Sequence, residues 1–449
     1  MNINEIENCK DGDQVENLTG WVSSIRDHGG LTFIDLRDFT ASIQLVFDKS
    51  GEVNTKLKNE YYISINGVFK KRDDSLINKK VFLGDSEIEV TNLTVINESK
   101  TLPFQIENEI DTDENIRLKY RYLDLRREPM KINIMTRSNT FKSIRSIMNQ
   151  LNIYEIDTPT LIKSTPEGAK DFLVPSRKSP GSFYALPQSP QMYKQLFMMS
   201  GFPNYYQIAK CYRDEDSRKD RQPEFTQLDL EFSDANPSVV KSNIETIIKF
   251  VFSDAYDCKV NTPFKSLSYN DAINLYGTDK PDMRIAETLI DITEIFENTE
   301  INFLNNIINN DGTVKALHTQ HILTRKEIDS LDNDIKELGS NGLGWFKIDN
   351  KNISGPLAKL LNKNETNKIL EFGSGTLLFQ AGEIKSIAKY LDHIRRNIFK
   401  PTADETYSFV WIEDFPFFEY EDGNLQPSHH PFTTPKDDQV FKEDPINAT

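Results

Sequence analysis

Between about Val15 and Val95, short runs of alternating apolar and polar residues are broken by Gly, Asn and Asp, a pattern that predicts a small β-barrel. In Leu31-Thr32-Phe33-Ile34-Asp35-Leu36 the alternation has a sense: with Ile34 and Leu36 facing the core, a period of two puts Phe33 and Asp35 on the other face. An outward phenylalanine near Arg26 and Gln44 suits a single-stranded base, which stacks on the ring while its neighbours read its edge. The alternative is a ring packed under a loop. A polar hinge from Asn108 to Arg117 follows, and then Leu118, Tyr122 and Leu125 recur at helical spacing, with Lys119 and arginines on the opposite face. Arg137 to Gln150 reads as an amphipathic helix, and Tyr154 to Leu161 as a strand stopped by Pro159.

The period returns to two at Tyr206, Ile208, Cys211 and Tyr212, which run into Arg213, Asp214, Glu215 and Asp216 and a basic loop. The chain comes back through Phe225 to Asp229 and Glu231, which predicts a hairpin with a long loop and charges at its strand ends. An arginine beside carboxylates suits a phosphate, because its planar fork binds two oxygens at once, and an aromatic after the loop can cover a base. The other reading is a solvated turn. Upstream, Gln188-Ser189-Pro190 opens a helix with Ser189 as its N-cap and Pro190 in the first turn. Gln191 and Lys194 then share one helical face. Glu167 lies on a Pro/Gly-shaped loop, Thr165 to Ala169. From about Asp282 to Lys400 the pattern becomes α+β, with turns at Asn310-Asp311-Gly312, Gly342 to Gly344 and Gly373-Ser374-Gly375. The last is a turn before the strand Thr376 to Gln380, since no βαβ unit supports a nucleotide loop.

A chain of 449 residues allows two to four domains, and its net charge of -16 argues mildly against a nucleic-acid partner. Local basic stretches at Lys70 to Arg72, Arg117 to Arg127 and Arg218 to Arg221 keep that partner open. The polar N-terminus predicts no secretory signal, and no apolar run approaches the ~18 residues of a membrane span. Cys9, Cys211 and Cys258 lack metal or disulfide spacing, which fits a reducing cytoplasm. His429 and His430 lack a third ligand at a usable spacing, so no metal site is expected.

Together, Arg213 to Asp216 and Gln222-Pro223-Glu224-Phe225-Thr226-Gln227-Leu228-Asp229 resemble motif 2 of the class II aminoacyl-tRNA synthetases, in the wording of the bacterial aspartyl branch. TPEGAKDFLVPSR, FYALPQSPQMYKQLFMMSGF, QPSHHPFT and the barrel segment TGWVSSIRDHGGLTFIDLRD resemble the same branch. The resemblance implies a multi-domain α+β protein. An N-terminal OB-fold β-barrel (residues 1–107) and a hinge (108–130) precede an antiparallel-sheet catalytic domain (131–281), continued over 404–449 after an α+β insertion domain (282–403). It implies that Arg213 is catalytic, holding the α-phosphate of Mg-ATP, with Asp214, Glu215, Gln222 and Phe225 also at the nucleotide. Glu167, Gln191, Lys194, Arg213, Asp229 and His429 would bind L-aspartate. Arg26, Phe33 and Gln44 would meet the anticodon of tRNA-Asp.

Aspartate's α-carboxylate would then attack the α-phosphate in line, and the terminal ribose of the tRNA would take the aspartyl group without a covalent protein nucleophile. The helix, strand and proline of 137–161 resemble motif 1 and imply a homodimer. His28, in Asp27-His28-Gly29-Gly30, matches relatives that also charge tRNA-Asn, or is an ordinary loop histidine. The resemblance stops after Thr433, before the family's glutamate and arginine that meet Mg-ATP and aspartate, and before glycine-rich motif 3. The expectation is a truncated chain that does not activate aspartate alone; the alternative is a truncated, non-catalytic tRNA-binding paralogue. An asparaginyl-type relative is disfavoured by the lysine and the insertion.

Overall fold

Alternation in the first hundred residues produces strands with one apolar face each, and these bury that face by closing on themselves. The computed structural model describes residues 2–28, 30–48, 57–79, 82–165, 168–216, 221–401, 407–421, 424–429 and 433–449. It divides into two compact units, Met1–Ser138 and Asn139–Thr449. In the first, strands β1 (Gln14–His28), β2 (Leu31–Arg37), β3 (Ser42–Asp48), β4 (Tyr62–Lys71) and β5 (Ser86–Asn97) form a closed barrel in the order β1-β2-β3-β5-β4. Ile34 and Leu36 point inward with Val22, Leu45, Ile65 and Phe69, while Phe33 and Asp35 lie on the other face and are half-buried. Closure leaves no free sheet edge. At Gly67 a Cβ would lie 2.4 Å from the Glu89 carbonyl oxygen, so only glycine lets β4 and β5 approach this closely.

The basic segment after the hinge departs from the expected helix. It forms two short helices, Glu114–Lys119 and Arg121–Asp124, and the expected apolar seam is exposed: Leu118 is 56%, Tyr122 65% and Leu125 40% accessible. Charge pairing sets the orientation instead. Asp124, wholly buried, accepts from Arg121 and from Arg127 Nη1 at 2.9 Å, and Arg127 also donates to the carbonyls of Glu107 and Asn108 at 2.8 and 2.7 Å. Glu60 plays the matching part on the barrel. Only 6% exposed and held at a φ of 66°, it accepts from both Arg37 and Arg126, and Arg126 lies 4.9 Å from the centre of the Trp21 ring. Glu60→Ala leaves Arg37 and Arg126, which are 18% and 32% exposed, without their shared carboxylate, and is expected to cost about 1–3 kcal/mol, read as a lower urea midpoint. An unchanged midpoint would show the pairs to be solvent-screened.

In the second unit the half-apolar hairpin needs cover on one face, and two helices supply it. Strands β6 (Asn204–Tyr212) and β7 (Glu224–Phe232) pair antiparallel, with Tyr205 opposite Glu231, Gln207 opposite Asp229 and Cys211 opposite Phe225. Tyr206, Ile208, Leu228 and Leu230 pack against Ile144, Ile147 and Met148 of helix α1 (Glu128–Gln150) and Ile247 and Val251 of α3 (Pro237–Tyr256). The other face turns toward α2 (Gln191–Met199), where Phe197 stacks on Tyr205 with ring centres 5.7 Å apart.

The strand expected over Tyr154 to Leu161 is reduced to a single bridge between Glu155 and Tyr206. Side chains claim the segment: Arg145 grips both oxygens of Glu155 at 3.1 Å, the Tyr206 hydroxyl donates to Glu155 at 2.9 Å, and Thr158 donates to Gln207. Pro159 has no amide to continue a ladder. The Arg145 hydrogen bonds, opposed by burial, hold Glu155 below its ordinary carboxyl value of 4.5. A depressed carboxyl contributes stability above its unfolded pKa and loses it as pH falls through the folded one. Glu155→Gln is therefore expected to melt below the parent near neutral pH, the gap closing as pH falls below the ordinary carboxyl value of 4.5. A gap constant with pH in thermal melts would contradict this.

After strand Lys265–Ser268, parallel to Val410–Glu413, comes α4 (Tyr269–Tyr276). A five-stranded sheet follows: β8 (Ile290–Asp291), β9 (Thr313–Thr319), β10 (Gly344–Asp349), β11 (Asn352–Ser354) and β12 (Gly375–Gly382), ordered β8-β9-β12-β10-β11. Central β12 is apolar on both faces because both are covered. Leu377 and Phe379 enter a core with Phe296 and Phe346, and Leu378 enters a second with Ile328 of α5 (Arg325–Glu337) and Leu391 of α6 (Ile384–Ile398). Gly373 makes the preceding turn at a φ of 78°.

Candidate active site

The α2 helix starts at Gln191, one residue later than expected, because Pro190 takes the capping position; Ser189 Oγ still accepts from the Gln191 amide at 3.2 Å. Lys194, one turn in, is buried. Its Nζ donates to Asp229 Oδ1 at 2.8 Å and the Leu230 carbonyl at 3.3 Å, and lies 3.2 Å from Glu231 Oε2. One cation thus faces two carboxylates in a nearly dry pocket. Such a group can meet an anionic side chain, while the paired acids can meet an ammonium. Glu231 belongs to this cluster although the motif reading left it out. The available signal was its spacing of two from Asp229, which puts both on one strand face. Burial and nearby Asp229 push the Tyr205 phenol up, keeping it a neutral hydrogen-bond donor, here to Gln207 Oε1 at 2.6 Å. Gln191 is half-buried on the Lys194 side of α2.

Immediately past β6, Arg213 stands over Phe225, with its guanidinium carbon 5.1 Å from the ring centre. Arg213, Glu215, Gln222 and Phe225 line a cavity of about 350 Å³ with Asp216, Arg221 and Pro223. Arg221 lies 3.8 Å from Glu215. No acceptor among the described residues takes the buried Nε of Arg213. A buried donor left without a partner is costly, so this one is poised for a ligand oxygen. Asp214 does not line the cavity: its carboxylate is exposed and its amide bonds to the Lys170 carbonyl at 3.0 Å.

Glu167 lies outside the described residues, but the loop just after it is fixed. Gln188, 1% exposed, donates to the Ala169 carbonyl at 2.8 Å and to Asp171 at 2.7 Å, and accepts from the Ala169 amide. Nothing in the sequence distinguished this glutamine from its neighbours. His429 is described and His430 is not. The His429 ring meets Phe417 at 5.8 Å and Phe415 at 6.3 Å.

On the barrel, Arg26 pairs across the strands with Phe33, and Gln44 with Asp35, so the three expected anticodon residues share a face. Arg26 donates to Asp35 at 2.8 Å and Gln44 at 3.3 Å, Gln44 donates to Glu87, and a cavity of about 250 Å³ opens beside them, lined also by Arg72 and Asn78. The backbone of His28 pairs with Leu31, and its side chain lies outside the description. Among the described residues no helix is long and apolar enough to cross a membrane.

Residues 113–448 match the family model of class II tRNA synthetases (D, K and N), and residues 17–96 match that of the OB-fold nucleic acid binding domain. An aspartate–tRNA(Asp/Asn) ligase from Hydrogenobaculum sp. is 44% identical over 95% of this chain and 74% of its own length. One from Aquifex aeolicus is 41% identical over 95% of this chain and 73% of its own. These matches give no support to the expectation of an inactive chain. Asparaginyl-tRNA synthetase from Pyrococcus horikoshii (TM-score 0.52, 17% identity, 88% of this chain and 95% of that one) has a similar fold. So does the Entamoeba histolytica aspartyl enzyme (TM-score 0.51, 18% identity, 88% and 89%). With the family model covering most of the chain and curated relatives above 40% identity, the protein belongs to the class II tRNA synthetases of the D, K and N group, in its aspartate–tRNA ligase branch.

Proposed function

We propose that the protein activates L-aspartate with Mg-ATP and transfers it to tRNA-Asp and tRNA-Asn. The observation that carries the aspartate reading is the buried Lys194 between Asp229 and Glu231, next to a hairpin whose arginine has a spare donor. Lys194 would take the substrate's side-chain carboxylate. Asp229 and Glu231, with Glu167, would take its ammonium, and Gln191 and His429 would complete the pocket. The Arg213 fork fits an α-phosphate and would offset the charge that develops there, while Phe225 backs the adenine beside Glu215 and Gln222. Bound Mg²⁺ would neutralise phosphate charge. The ion would come with the nucleotide, on its phosphate oxygens.

Arg26, Phe33 and Gln44 would read the anticodon, with His28 at the discriminating position; the names of the bacterial relatives support charging of both tRNAs. Residues 282–403 would be the insertion between two parts of the catalytic domain. A homodimer through motif 1 rests on the resemblance of 137–161, and exposed Tyr154 and Leu161 within that segment are compatible with it. A cytoplasmic location follows from the reaction.

Titration with non-hydrolysable aspartyl- and asparaginyl-adenylate analogues tests the substrate. A preference of roughly 100-fold for the aspartyl form is expected, and equal or reversed affinities would overturn it. Aspartylation of tRNA-Asp but not of tRNA-Asn would overturn the dual specificity.

A further inference from the structure

Arg395, in the last turn of α6, is 0% exposed and the largest of the fully buried side chains. It takes backbone carbonyls: Nε donates to Glu287 at 2.6 Å, and Nη2 to Ile285 at 2.7 Å and Asp282 at 2.9 Å. Its guanidinium carbon lies 4.9 Å from the centre of the Tyr276 ring. The adjacent Arg396 donates to the Lys280 carbonyl at 3.2 Å and pairs with Asp392. Two neighbouring arginines of the helix that leaves the five-stranded sheet therefore hold the segment that enters it. Gly277 caps α4 at a φ of 77°, where a Cβ would lie 2.5 Å from the Ala388 carbonyl oxygen, so α4 and α6 approach backbone to backbone. At its other end α4 begins with Tyr269, whose ring centre is 5.0 Å from that of Phe415, and Phe415 touches the His429 ring.

Burying a guanidinium is expensive, and apolar side chains would hold a junction more cheaply. What the arginine adds is geometry, since three carbonyls in fixed directions define one arrangement of the two segments. We propose that Arg395 is a positioning residue: by clamping entry and exit of the sheet to α4, it fixes α4 and, through Tyr269, the Phe415–Phe417 shelf that carries His429. The consequence for substrate rests on the reading of His429 above, but the clamp itself does not.

Hydrogen exchange on the full chain tests the clamp. In Arg395→Lys, which keeps the charge and loses the fork, amides of 265–276 and 410–418 are expected to exchange roughly tenfold faster, with those of 14–97 unchanged. Gly277→Ala, which keeps the arginine and separates the helices, is expected to do the same and serves if the lysine variant does not fold. A rise confined to 277–289 in both would overturn the proposal. The aspartyl-adenylate analogue should bind Arg395→Lys roughly tenfold more weakly while ATP binds within about twofold of the parent. Equal loss for both ligands means general loosening and also overturns it. His429→Ala with unchanged analogue affinity would instead remove His429 from the aspartate pocket and leave the exchange result to decide the clamp.

Discussion

Lys194→Met is expected to weaken binding of an aspartyl-adenylate analogue on the order of 10³-fold and to lower the stability of the second unit. The side chain is 11% exposed, and its two carboxylate partners are 13% and 28% exposed, so the cluster is largely withdrawn from water. Methionine fills much the same volume but leaves Asp229 and Glu231 facing each other with no cation between them, and removes the charge that would meet the ligand's own carboxylate. Truncating one partner of a buried, hydrogen-bonded charge pair costs about 2–5 kcal/mol. Arginine does not restore the site, because a planar fork cannot replace a compact ammonium that donates in three directions. Calorimetric titration measures the affinity, and a loss below about tenfold would show that the ligand's carboxylate is held elsewhere.

Arg213→Ala is expected to weaken ATP roughly 10- to 100-fold, the range of one charge-assisted hydrogen-bonding group worth about 1.5–3 kcal/mol. Here the effect on folding is small, since the buried Nε has no acceptor among the described residues to lose. Lysine keeps the charge but loses the paired donors and most of the face-on contact with Phe225, so Arg213→Lys should bind ATP nearer to the alanine variant than to the parent. Full retention of ATP affinity in Arg213→Ala would place the nucleotide outside this cavity.

Much of this architecture was legible because period two is a strong signal when one face is dry. The barrel, the sense of the Ile34-Leu36 strand and the hairpin all followed from it. The errors share a cause. Leu118, Tyr122 and Leu125 were read as one apolar face of a single helix, but Asp124 and Arg127 pair inward and the repeat faces solvent on two short helices. At Tyr154 to Leu161 a β-rich composition promised a strand, and side-chain bonds from Arg145 and Thr158 displaced the ladder. Both depend on which charges find each other in space, which a linear pattern does not encode. At the site, motif wording selected Lys194, Asp229 and Arg213. It passed over Glu231 and Gln188, whose importance comes from the partner they touch.

The register of β6 and β7 has a consequence for what changes this hairpin can absorb. Tyr205, Gln207, Asp229 and Glu231 stand on one face of the strands, and Tyr206, Ile208, Leu228 and Leu230 on the other pack into the core with α1 and α3. Both faces are packed, since Tyr205, Ala209 and Cys211 are as buried as Tyr206. Exchanges on either face of β6 therefore have to respect close packing. One inserted or deleted residue within either strand would swap the two sets, turning Asp229 toward the α1 and α3 core and Leu228 toward Lys194.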